Sequence, residues 1–241
     1  MNHSVDSVSK LSVVVTVSIL LCLFATFWLR QVWLEAEARV QNDAAEVRAA
    51  KLSVYREYVR KSIELYDYIA ADLANRYLQD GVEEELVRLQ ELAAHLLVIM
   101  ILDKDGQINH WSLTDLASKP EVSYRDYYHT LRDNPDLERY ISSAKKADVN
   151  SDNHPWFFSL SRPIKDESGN FDGVVVIAID INGLNGELFS HLSSTTDSLL
   201  TLRNDGSTLI RTPIPEEGLD HKLPALSNRS NNPIKMCTTV A

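Results

Sequence analysis

The pattern along the chain begins one-sided. Leu11–Leu29 carries no charge and is closed by Lys10 and Arg30. At about 1.5 Å per residue a helix over this run crosses a hydrocarbon core of ~30 Å. A cleaved signal peptide is the competing reading. Against it, the run exceeds the usual apolar region of a signal, no small-x-small site follows, and helix-compatible sequence continues directly. The stretch reads as an uncleaved transmembrane anchor over 11–30, with Trp28 and Trp33 at the level of an interfacial aromatic belt. A short N-terminus (1–10) followed by acidic sequence places that end in the cytoplasm and the rest outside.

From Gln31 to Gln79 there is neither Pro nor Gly, and Ala, Glu, Arg, Leu and Tyr dominate, which favours helix throughout. Apolar residues recur at Leu52, Tyr55, Val59, Ile63, Tyr66, Ile69 or Ala70, Leu73 and Tyr77. This three-four spacing is one stripe on one face. Packing against a sheet accounts for the second half. Gln31–Ala50, where Ala and charge leave little for a monomeric core, reads as the seam of a homodimer. Asp80-Gly81 is a stop signal, and Glu83–His95 a second helix.

The period then changes. His95–Leu102 is a continuous apolar run, followed by Asp103-Lys104-Asp105-Gly106 and Gln107–Trp111, a strand–turn–strand pattern. Asp103, Asp105 and Gly106 look like the opening of a calcium loop, but the other oxygen ligands and the distal Glu are missing, so the turn is the better reading. Ser112–Pro120 reads as loop, Tyr124–Leu131 as a short helix and Asn134–Asp152 as a polar connection. Trp156–Ile164 and Phe171–Ile181 are aromatic and β-branched and flank Asp166, Ser168 and Gly169, a hairpin at the centre of an antiparallel sheet of about five strands. Leu184–Leu192 leaves the sheet as a helix. Leu199–Leu202, Asn204-Asp205-Gly206 and Thr208–Arg211 repeat the strand–turn–strand order, and Leu219–Ala241 shows no period. The fold class predicted is α+β, an anchor and a long helix followed by an antiparallel sheet flanked by helices.

Composition removes some classes of function. The 241 residues carry a net charge of -10 and no stripe of Lys and Arg, so the chain is not read as binding nucleic acid. Cys22 and Cys237 have neither metal-like nor CxxC spacing, and a disulfide framework is excluded. The seven histidines show no HExxH and no i, i+4 pair, and no glycine loop for phosphate follows a strand. No catalytic residues, metal site or cofactor are expected.

One constellation is chemical in character: Arg125-Asp126-Tyr127-Tyr128 in the short helix, Trp156, Ser159 and Ser161 on one strand, and Asp180 at the end of another. Arg offers a planar fork for a carboxylate, Asp a partner for an ammonium, and aromatic walls exclude water and strengthen both contacts. Period two places Ser159 and Ser161 on one face. The same residues also read as structure, with Arg125 paired to Asp180 or to backbone and the aromatics simply core.

The order of anchor, long helix, ILDKDGQI, YRDYYHTL, WFFSLSRPIKDESGNFDGVVVIAIDI and LLTLRNDGSTLIRTP resembles the double-Cache (PDC, PAS-like) sensor domains over roughly Leu11–Leu223. The nearest likeness is to those of bacterial membrane-bound diguanylate cyclases of the GGDEF type, with sensor histidine kinases close behind. The resemblance implies two PAS-like modules on one long helix, periplasmic or extracellular, with a small-molecule ligand in the membrane-distal one. It divides the chain into the long helix with that module over 31–192 and the start of a second module over 193–241, a fragment, truncated product or degenerate copy. Members that recognise amino acids carry Arg-x-Trp-Tyr for the carboxylate and a late Asp for the amine. Arg125, Tyr128 and Asp180 match, Tyr127 replaces the Trp, and Pro120 stands where a further Tyr is expected. An amino acid or small carboxylate is the ligand class implied. The alternative functions are a membrane-tethered scaffold for protein partners and a periplasmic hydrolase, the latter without any catalytic spacing to support it.

Overall fold

The computed structural model describes residues 3–77, 82–93, 95–113, 119–147, 155–192, 197–216, 218–219 and 234–240; for 3–17, 187–192, 197, 198 and 234–240 it describes the backbone only. The Asp80-Gly81 stop signal, most of the Ser112–Pro120 loop and the end of the Asn134–Asp152 connection lie outside these residues. The chain forms two compact units, Met1–Val54 and Tyr55–Ala241.

Helix α1, His3–Arg76, supplies the first unit and, from Tyr55, the first element of the second. Its long uninterrupted run follows from helix-forming residues and from surface pairs one turn apart, such as Arg60 with Glu57 and Glu64. It is the one helix among the described residues long and apolar enough to cross a membrane. Large apolar side chains from Ile19 to Leu29 are all exposed.

The second unit is α+β. After α2 (Val82–Leu92), strands β1 (Leu96–Asp103) and β2 (Ile108–Trp111) form a hairpin. Then come α3 (Asp126–Asp133), β3 (Tyr140–Ile141), β4 (Lys145–Lys146), β5 (Trp156–Lys165), β6 (Phe171–Asp180) and α4 (Ile181–Leu192). The sheet is antiparallel in the order β2-β1-β6-β5-β3, with β4 also paired to β5. A second antiparallel sheet, β8-β7-β9, is built from β7 (Asp197–Arg203), β8 (Thr208–Thr212) and β9 (Ile234–Val240).

The expected central hairpin is β5–β6, and its turn works by the predicted chemistry. The Asp166 carboxylate accepts the N–H groups of Ser168 and Asn170, and Gly169 takes φ 82°. Asp103 does the same for Asp105 and Gln107 at the β1–β2 turn, where Gly106 also has φ 82°.

Three expectations change. The helix read over Glu83–His95 ends at Leu92, because the His95 carbonyl accepts the Asp180 N–H at 2.8 Å and draws the chain into the sheet. The polar connection contains β3 and β4, two-residue edge strands held by backbone pairing; between them Ser142 Oγ accepts the Ser159 N–H at 2.9 Å and stands in for a ladder carbonyl. The stretch without period contains β9, which pairs along the whole of β7 and makes it a central strand.

The two faces of the first sheet are separable by register. Phe158, Leu160, Arg162 and Ile164 of β5 share a face with Val175, Ile177 and Ile179 of β6. Arg162 reaches Asp67, so this face lies under α1, whose Tyr55, Val59, Ile63, Tyr66, Ala70 and Leu73 are buried as the stripe predicted. The opposite face carries Ser159, Ser161, Val174, Val176 and Ala178, with Met100 and Leu102 of β1, and is covered by α3.

Candidate ligand site

Two hydroxyls define the α3 face. Ser159 and Ser161 are buried to 1% and 0% exposure, and neither Oγ has a hydrogen-bond partner. On β6 their cross-strand partners are Ala178 and Val176, which offer nothing polar. A buried hydroxyl without a partner costs about 1–3 kcal/mol, and native structures fill such positions with water or ligand. The two stand one pleat apart on one face of β5.

Around them stand residues of α3 and β3. Tyr127 and Tyr128 join Met100, Leu102, Ile108, Val122, Leu131, Val174 and Val176 in one buried cluster. Burial pushes the Tyr127 phenol well above its ordinary pKa. Tyr140 is the cross-strand neighbour of Ser161, and its hydroxyl donates to Asp126 Oδ2 at 3.1 Å. Lys145 Nζ lies 3.1 Å from the other oxygen of that carboxylate. The Asp of the RDYY run therefore ties α3 to the β3–β4 edge, a role its position in the motif does not announce.

The predicted residues divide. Ser159 and Ser161 lie on the α3 face, and Tyr127 is buried in the cluster that includes Val176, the cross-strand neighbour of Ser161. Asp180 lies on that face by register, opposite Phe157 at the sheet's end, and its Oδ1 accepts the Asn182 N–H at 2.9 Å as the N-cap of α4. Arg125 precedes α3 with extended backbone, and its guanidinium lies 5.0 Å from the centre of the exposed Tyr124 ring. Tyr128 turns instead to the β1–β2 hairpin, where its hydroxyl donates to the Lys104 carbonyl at 2.6 Å and its ring meets Phe171 edge-on. Trp156 is on the other side of the strand. Its indole packs so close to Gly218 that a Cβ there would stand 2.7 Å from Cζ2, and alternation puts it on the face away from Ser159 and Ser161. Asp126 stands in the predicted run, but Tyr140 and Lys145 are not in the predicted set; a Tyr in a polar connection gives no sign of an edge strand. Among the described residues no group of three or more His, Cys, Asp or Glu is placed to hold a metal.

Solved structures share this architecture. The chain matches the extracellular domain of rpHK1S-Z16, assigned as a histidine kinase, at TM-score 0.56 and 24% identity over 69% of this chain and 67% of that one. The ligand-binding domain of the Pseudomonas aeruginosa PAO1 chemoreceptor PctB, solved with L-Gln, matches at TM-score 0.55 and 16% identity over 73% and 69%. That of the Pseudomonas fluorescens chemoreceptor CtaA, solved with L-serine, matches at 0.52 and 15% over 72% of each chain. The fold is thus the Cache-like α+β fold of these sensors. No protein-family model and no curated protein sequence matches the chain.

Proposed function

We propose that this chain is the membrane-anchored, extracytoplasmic small-molecule input domain of a bacterial signal-transduction protein. The observation that carries the reading is the pair of buried, unpartnered hydroxyls of Ser159 and Ser161 on the α3 face. The ligand class is an amino acid or small carboxylate, with Arg125 taking the carboxylate and Asp180 the ammonium. L-Gln in PctB and L-serine in CtaA support that class. The protein itself catalyses nothing in this reading; β7–β9 begin a second Cache module, and a diguanylate cyclase is the effector served. A GGDEF reading frame directly downstream in the genomic DNA is the expected finding, and a kinase or chemoreceptor frame there overturns that choice.

Titration calorimetry of the full chain in detergent against the standard L-amino acids and small dicarboxylates tests the site. Arg125→Ala should cost a bound carboxylate roughly 2–5 kcal/mol, since the anion would stay buried without its partner. Equal affinity in the two proteins removes Arg125 from the site.

The first unit supports a homodimer through the long helix. Trp33, Val40, Val47 and Val54 are all exposed and recur every seven residues, the spacing of a coiled-coil seam. With Cys22 and Cys237 replaced by Ser, Val47→Cys should crosslink into a dimer under mild oxidation, while Arg48→Cys should not. Equal crosslinking at both positions contradicts the seam.

A further inference from the structure

Beside the two serines, the α3 face holds an ion pair whose members come from the helix above the sheet and from the sheet's edge. Register places Lys145 opposite Phe157 and Tyr140 opposite Ser161, so Phe157, Ser159 and Ser161 run along β5 between a lysine at one end and a tyrosine at the other, all on one face. Asp180 lies opposite Phe157 on β6, on that same face. Both long side chains meet one carboxylate. Asp126 Oδ2 accepts the Tyr140 hydroxyl at 3.1 Å, while Oδ1 lies 3.1 Å from Lys145 Nζ and accepts the Tyr127 N–H at 3.1 Å. From the first turn of α3, Asp126 thus joins the strand positions that flank Ser159.

The edge that presents Lys145 is held by backbone. Ala144 donates its N–H to the Thr208 carbonyl at 2.9 Å and Ala147 to that of Pro155 at 3.0 Å. Arg203, whose guanidinium lies 5.2 Å from the centre of the Tyr140 ring, has a carboxylate of its own, Asp205 at 3.6 Å. The side chains of Asp126 and Lys145 are each 32% exposed. A guest can touch either charge, and water does not fully screen them.

We propose that the Asp126–Lys145 pair is the charge selector of the site, making it a receptor for amino acids with uncharged side chains. The inference rests on the reading of the α3 face as the ligand site, with Arg125 and Asp180 taking the guest's carboxylate and ammonium. Bound to each other, Asp126 and Lys145 form a neutral wall. A carboxylate on the guest's side chain meets Asp126 as well as Lys145, so attraction and repulsion nearly cancel and its lost hydration goes uncompensated. A side-chain ammonium fails for the mirror-image reason. Selection here works by rejection, and removing either member of the pair should open the site to the opposite charge on the guest.

Titration calorimetry of the full chain in detergent against the standard L-amino acids tests this through pairs of similar size and different charge: Glu with Gln, Asp with Asn, and Lys with Met. Wild type should prefer the uncharged member of each pair. Asp126→Asn, which can still accept from Tyr140, should move the Glu/Gln and Asp/Asn preferences about tenfold toward the acid, and Lys145→Met should move the Lys/Met preference about tenfold toward lysine. Lys145→Arg keeps the pair and should keep the wild-type preferences, and the double variant Asp126→Asn with Lys145→Met should return to them. A purely structural tie would lower the melting temperature of the single variants and leave all three preferences where they were. Preferences unmoved in both single variants, or moved in the same direction by both, overturn the selector and leave the site standing. If no amino acid binds wild type or any variant, the reading of the site fails and the selector falls with it.

Discussion

The two faces of the β5–β6 sheet treat polar groups in opposite ways. On the α1 face polar tips are fixed. Arg162 donates to both oxygens of Asp67 at 2.7 and 3.0 Å, and Arg139 adds a third bond at 3.0 Å. Tyr55, Tyr66 and Tyr77 recur every eleven residues, three turns apart, and their hydroxyls bond Asn185, His95 and Asp172 respectively. On the α3 face the two serines have no partner at all. The ion pairs and phenols on the α1 face bond other parts of the chain, whereas the two serine hydroxyls on the α3 face bond nothing. Burial alone does not tell them apart, since Ser161 and Leu160 are both wholly enclosed.

The largest effect should come from the closed face. Arg162→Ala leaves a half-buried carboxylate with Arg139 only and should lower stability by about 3 kcal/mol in thermal unfolding without ligand. A loss no larger than that of an exposed surface pair contradicts the role given to α1. Next is the response to acid. Burial raises the Asp67 carboxyl pKa, but its bonds to Arg162 and Arg139 outweigh this and hold it below the ordinary value. The folded pKa is depressed, so the contribution is complete above the unfolded value of about 3.9 and is lost as pH falls through the folded one. Unfolding followed below pH 4 should show that loss in wild type and a shallower limb in Asp67→Asn. Smaller still is Tyr128→Phe, which removes the bond to the Lys104 carbonyl and should cost about 1 kcal/mol with no change in ligand affinity. A drop in affinity would return Tyr128 to the site.

Much of this was legible in sequence because local chemistry carried it. The Asp-to-Gly turns at 103–106 and 166–169 announce hairpins, the stripe from Tyr55 to Leu73 gives the buried side of α1, and period two pairs Ser159 with Ser161. What was not legible depends on partners far away in the chain. Strands of two residues, β3 and β4, leave no period to read, so Tyr140 and Lys145 could not be placed beside Asp126. Trp156 was grouped with the serines by proximity, although alternation already puts it on the other face. The stripe showed where the tyrosines of α1 point but not that their hydroxyls meet Asn185, 130 residues on, or Asp172, 95 residues on.

The unpartnered serines are the centre of the account, and one paired measurement tests them. Ser159→Ala and Ser161→Ala should leave the ligand-free melting temperature unchanged or slightly raised, because each removes a buried hydroxyl that bonds nothing. The same variants should bind the amino acid identified by calorimetry at least about fivefold more weakly, the worth of one hydrogen bond. Variants that melt lower than wild type and bind equally well would show that the hydroxyls belong to the core, and that the site lies elsewhere.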